Sequence, residues 1–160
     1  MSEWTEALNE DDTVSLTVLE DILSGVLQEQ AFMFAEHFGG ELEIPAPPFI
    51  HARIRFDGPF DGHLGLIFSH ALSMELIANM LGLDPDDIDS EEDAADALKE
   101  LLNIVCGQFL ATAFGNTLVF DLAIPSVAQI GSEEWSAQLA TEETTALLVE
   151  DEPVLFELLL

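Results

Sequence analysis

Basic residues are nearly missing from this chain of 160 residues. Arg53, Arg55 and Lys99 are the only Lys or Arg, against 32 Asp and Glu, for a formal net charge of −29. Three cations do not make a basic stripe, which argues against nucleic acid or an anionic membrane as partner. Cysteine is as scarce: Cys106 is the single one, so no intramolecular disulfide can form, and a reducing compartment fits. No stretch approaches the roughly 18 unbroken apolar residues of a membrane-spanning helix, so no span is expected. The opening MSEWTEALNEDD has neither the basic start nor the apolar core of a secretory signal. A cytoplasmic protein is the expectation.

Familiar chemical signatures are also missing. There is no P-loop and no GxGxxG fingerprint. His37, His51, His63 and His70 sit in no HExxH or CxxC context, which leaves no zinc spacing. The acidic run Asp84 to Asp93 lacks the DxDxDG order of a calcium loop and reads as solvated charge. Cys106 lies inside a helical pattern with no base nearby, so it reads as a small packed thiol. The acidity keeps the chain soluble and weakens it by self-repulsion at low salt. It is also compatible with a saline habitat.

What remains is ample apolar material. Hydrophobic residues are 49% of the chain, and its length suits one domain with a real core. Residues 1–14 read as an acidic tail and residues 15–160 as a single domain. A helical repeat runs from Ser15 through Leu16, Leu19, Ile22, Leu23, Val26 and Leu27 to Phe32, Phe34 and Phe38, with Gly39-Gly40 as its stop. Phe49 to Phe56 alternates as a strand. Turn residues Asp57 to Gly62 join it to a second strand, Gly62 to Ser69, as a hairpin. Ser69 or Ser73 can cap a helix over Met74 to Leu81, stopped by Gly82. The longest helix spans about Ser90 to Phe114, with Ser90 as N-cap and Glu91, Glu92 and Asp93 against the helix dipole. Thr117–Ala123, Trp135–Thr141, Thr145–Glu150 and Val154–Leu160 read as strands. The fold class is therefore α+β, an α/β sandwich of long amphipathic helices on a largely antiparallel sheet. The last strand, VLFELLL, is apolar on both faces. It must lie centrally or pair across a subunit boundary, a hint of a homodimer.

Within the longest helix, ELLNIVCG places Asn103 in an apolar run. At about 100° per residue, Leu98, Leu102, Val105 and Phe109 form the core stripe. Asp93, Asp96, Asn103 and Gly107 fall within about 60° of Glu100 on the other side. Asn103 thus shares an outer face with Glu100, three residues earlier. Gly107 in mid-helix costs about 1 kcal/mol against alanine and calls for a packing or access reason. An ordinary polar helix face carries the same residue types.

DALKELLNIVCGQFLA, Asp96 to Ala111, resembles the signature helix of the CheC and CheX chemotaxis phosphatases. There an E-x-x-N pair followed by glycine marks the active helix. HALSMELIANMLGLDPDDID is similar to the preceding helix and loop, and IPSV, Ile124 to Val127, to the strand that follows. The likeness covers Phe49 to Val127. CheC-type chains carry two such pairs, whereas here Glu20-Asp21-Ile22-Leu23 has leucine where the second asparagine belongs. Glu75 and Asn79 are four apart and are not a second pair. The one-site CheX-like branch is the closer match.

That resemblance implies hydrolysis of the aspartyl phosphate on a CheY-type receiver domain. Asn103 would orient the attacking water and Glu100 would fix the docking register, with Asp96 and Gly107 as docking positions. Mg²⁺ would sit on the receiver and none on this chain, and two copies would pair through their sheets. The alternative function is a non-enzymatic binding module of the flagellar-switch kind in two-component signalling, since relatives of this fold serve there.

Overall fold

The structure is a computed structural model that describes residues 12–38 and 43–160. Residues 1–11, most of the expected tail, lie outside the described residues, as does the Gly39-Gly40 stop.

Helix α1, Asp12–Ala31, is followed by a short strand β1, Ala35–His37. Strands β2, Phe49–Asp57, and β3, Gly62–Ser69, form the expected hairpin, in register from Phe49↔Ser69 to Phe56↔Gly62. Helix α2, His70–Leu81, begins at Ser69, whose Oγ accepts the Leu72 N–H at 3.1 Å. It ends at Gly82 in the left-handed conformation, φ 70°, which glycine adopts without steric cost. A 3₁₀ turn at Pro85–Asp87 interrupts the acidic loop. Helix α3, Glu91–Phe114, starts at Ser90, whose Oγ accepts the Asp93 N–H at 3.2 Å. Then come β4, Asp121–Leu122; β5, Ser126–Ile130; helix α4, Ser132–Leu139; β6, Thr144–Val149; and β7, Glu152–Leu159.

The strands form one antiparallel sheet in the order β1-β6-β7-β3-β2-β4, and β5 continues beside β4 along the outer edge of β2. Strand alternation gives the sheet two different faces. Ala52, Ile54, Phe56, Leu64, Leu66, Phe68, Phe156 and Leu158 turn toward α1, α2 and α3 and form the main core with them. Phe49, Ile67, Ala146 and Leu155 turn the other way and bury Trp135 of α4. Strand β7 lies between β3 and β6, so the doubly apolar VLFELLL is explained by a central place within the chain.

Three expected elements are different. The first helix stops at Ala31 rather than running to Phe38, because Phe32 takes a left-handed backbone (φ 55°) and the Met33 N–H closes on the Leu27 carbonyl. Beyond it, Ala35–His37 pairs with Leu147–Val149, and Phe32 and Phe34 lie exposed. Strand hydrogen bonding outweighed a periodicity that continued by coincidence. Trp135–Thr141 is not a strand either. The Glu134 carboxylate accepts the Gly131 N–H at 3.0 Å and starts α4, leaving Trp135 as the one side chain of that helix fully buried. Of Thr117–Ala123, only Asp121 and Leu122 join the sheet.

By length and a mean hydropathy of 1.2, α3 is apolar enough to cross a membrane. Its Leu98, Leu101, Leu102, Val105, Cys106 and Phe109 are instead buried in the main core. Burial also pushes the Cys106 thiol up to about 12, so it stays protonated and inert as a nucleophile.

Candidate functional site

One flank of α3 supplies the core, and the other is left open. Asp93, Asp96, Glu100, Asn103 and Gly107 are all exposed, as the helical wheel predicts. The helix brings the four expected site residues, Asp96, Glu100, Asn103 and Gly107, onto one stripe. The Glu100 and Asn103 side chains make no hydrogen bond or ion pair with any described residue. Both the amide and the carboxylate therefore keep their full hydrogen-bonding capacity for something outside the chain. A Cβ added at Gly107 would meet nothing within 4 Å. No packing contact among the described residues requires that glycine.

The site is convex. A groove of about 390 Å³ lies on the opposite flank of α3, lined by His70, Ser73, Ile77, Glu91, Leu98 and Gln129 among others, and it shares no residue with the Glu100–Asn103 stripe. A small-molecule enzyme encloses its substrate. An open helix face suits a macromolecule that carries its own cavity.

The lookalike pairs have structural work. Leu23, where a second asparagine would stand, is fully buried. The Glu20 carboxylate lies 2.8 Å from His37 Nδ1. Asn79 Nδ2 donates to the Ala31 carbonyl at 2.8 Å and so caps the end of α1.

A second polar cluster was not read from the sequence. On the α4 face of the sheet, Glu157 is 1% exposed. Its carboxylate lies 2.8 Å from His51 Nε2 and accepts from Arg53 Nε at 3.0 Å and from Gln138 Nε2 at 2.5 Å. Gly65 on β3 leaves the space it occupies, since a Cβ there would overlap Glu157 Oε1. The signal was present as a glutamate inside VLFELLL and as His51 and Arg53 alternating with Ala52 and Ile54. Burial alone would raise the Glu157 carboxyl, but the hydrogen bonds from His51 and Arg53 and the guanidinium charge outweigh it and hold it at about 2.

A depressed carboxyl stabilises the fold above its ordinary value of 4.5 and loses that contribution as pH falls toward about 2. The depression is worth about 3 kcal/mol. In urea titrations the stability gap between wild type and Glu157→Gln should therefore narrow as pH falls through that window. A gap independent of pH would show that Glu157 is not held ionised by the fold.

Comparison with known proteins agrees with this architecture. Residues 50–146, more than half of the chain, match the family described as chemotaxis phosphatase CheX. No curated protein matches the chain. Among solved structures, CheX from Desulfovibrio desulfuricans is 19% identical, with 91% of this chain and 99% of that one covered and a TM-score of 0.65. CheX from Vibrio vulnificus is 19% identical over 91% and 95%, with a TM-score of 0.66. A CheX–CheY–BeF3–Mg²⁺ complex from Borrelia burgdorferi is 18% identical over 90% and 96%, with a TM-score of 0.62. At these identities the structures bear on the fold, which is the same helices-on-antiparallel-sheet arrangement. The match spans more than half of the chain, and the chain belongs to the CheX family of chemotaxis phosphatases.

Proposed function

We propose that the chain hydrolyses the aspartyl phosphate of a CheY-type receiver domain, with Asn103 orienting the water and Glu100 docking the receiver. The observation that carries this reading is the exposed Glu100–Asn103 pair on one helix face, without a polar partner among the described residues. The family description as a phosphatase and the Borrelia burgdorferi neighbour, a complex of CheX with CheY, support it.

An acyl phosphate is already activated, so the chain needs to supply little beyond position. The Asn103 amide can accept a hydrogen bond from the water and donate one to a phosphoryl oxygen, holding the water in line with phosphorus. Water oxygen bonds to phosphorus as the bond to the receiver's aspartate oxygen breaks. The aspartate leaves as carboxylate and the water proton ends on inorganic phosphate. Glu100, one turn earlier, pairs with a receiver lysine and fixes the angle of approach. Asp96 and Gly107 flank the contact. Mg²⁺ in this reading belongs to the receiver and neutralises phosphoryl charge. The proposal includes a cytoplasmic setting and pairing of two copies through the sheet edges, where β1 and β4 each have one strand neighbour among the described residues.

The test follows phosphate release from a Mg²⁺-loaded, phosphorylated receiver of the same organism, with wild type and with Asn103→Ala. Acceleration by wild type that collapses in the variant is expected. Equal rates would end the catalytic assignment, and binding without acceleration would favour the docking-module alternative.

Electrostatics adds an unusual expectation. A receiver site is acidic, and this chain carries −29. Screening weakens the repulsion between them. The association rate in stopped flow should therefore rise with added salt, and a fall would indicate that attraction between opposite charges dominates the encounter.

A further inference from the structure

The stripe that carries Asn103 does not end at Gly107. Residues 107, 110 and 111 are four, seven and eight positions past Asn103, so they continue the same helix face about 6 to 12 Å toward the C-terminus. There Gly107, Leu110, Ala111, Leu118, Phe120 and Leu122 line a groove of about 200 Å³, together with Gly115 and one polar residue, Asn116. No charged residue lines it. Leu122 is 39% exposed, and Ile124, two residues on, is 86% exposed. The far wall is firm, since Phe120 packs edge-on against Phe56 and Phe60, with centroids 5.8 and 5.1 Å away.

The face is thus polarised: Asp93, Asp96 and Glu100 lie toward its N-terminal end, and an uncharged apolar groove lies beyond Asn103. An apolar groove open to water is a docking surface in waiting. Its continuity with the Asn103 stripe identifies the occupant. On the reading proposed above, a receiver that presents its phosphoryl group to Asn103 also covers the next two turns of α3. Charge cannot supply the attraction between two acidic surfaces, whereas burial of apolar area is indifferent to that charge.

We infer that the Gly107–Leu110–Ala111–Leu122 groove is the apolar half of the receiver-docking surface and supplies affinity, while Asn103 supplies turnover. Gly107 then has a purpose: a side chain there would stand between the two halves.

Two groove variants test this. Ala111→Glu places a charge on an exposed helical position and Leu122→Gln makes the opposite wall polar. Circular dichroism melts verify that both fold. The probe is the Mg²⁺-loaded, phosphorylated CheY-type receiver, read by steady-state kinetics and by direct titration. Each variant should raise KM and Kd about tenfold, with kcat within about twofold of wild type. Asn103→Ala should do the reverse, losing kcat and keeping Kd. Unchanged KM and Kd in both groove variants, with Asn103→Ala inactive, would overturn the groove assignment and leave the phosphatase reading standing. A wild type that binds the receiver without hydrolysing it would overturn the catalytic reading, and the titrations would still decide the groove. Loss of a dimer in sedimentation with unchanged Kd would give the groove to a second copy of this chain and overturn the inference.

Discussion

Asn103→Ala should lower receiver dephosphorylation by at least about a hundredfold while leaving the protein folded and slightly more stable. Removal of one preoriented hydrogen-bonding group from a hydrolytic site typically costs about 10²–10³ in rate. The stability sign follows from the surroundings. The side chain is exposed and has no partner among the described residues, so truncation leaves no buried group unsatisfied. Alanine is the better helix former by about 0.5 kcal/mol. Phosphate release and thermal melting on the same preparation check both halves. A variant that is inactive and also melts well below wild type would show that Asn103 holds the helix in place, and the rate loss would then say nothing about water.

Gly65→Ala should be among the most damaging single changes to stability. The methyl group would overlap Glu157 Oε1 and lie 3.0 Å from the Ala52 carbonyl oxygen across the hairpin. Backbone on one side and a buried, fully bonded carboxylate on the other leave it nowhere to go. If Glu157 moves, Arg53, His51 and Gln138 lose their shared acceptor. Breaking a buried ion pair of this kind costs about 3–5 kcal/mol. For a chain of 160 residues that corresponds to a fall in melting temperature of about 10 °C or more. Calorimetry of Gly65→Ala measures it directly. A shift of only a degree or two would mean that the carboxylate has room to move and that the cluster is not a tight one.

The hairpin, α2 and α3 were legible because each is defined by local chemistry. Ser69 and Ser90 cap, Gly82 stops, and residues Asp57 to Gly62 turn. The helical wheel separated Asn103 from its apolar sequence neighbours for the same reason: it uses spacing within one element. Misreadings arose where the deciding partner is far away in sequence. Phe32 to Phe38 keeps a helical rhythm, but the strand that takes Ala35–His37 out of it lies more than a hundred residues on. Trp135 looked like part of a strand until its burial between Phe49, Ile67 and Leu155 gave the segment one inward side chain rather than an alternating set. Glu157 was read as one letter in an apolar strand, since nothing adjacent to it announces His51, Arg53 or Gln138.

The places of the two E-x-x-N pairs of CheC-type chains stand in unlike settings here. On α3 the proposed pair is exposed and has no hydrogen bond or ion pair among the described residues. On the reading proposed above, one substitution there would switch the reaction off without a trace in the fold, and overall shape would be a poor guide to activity. On α1 the equivalent of Asn103 is Leu23, wholly inside the core. An amide at that position would face apolar neighbours until the helix turned on its axis and its entire core stripe was replaced. On that reading, activity would be easily lost at the α3 position and hard to duplicate at the α1 position.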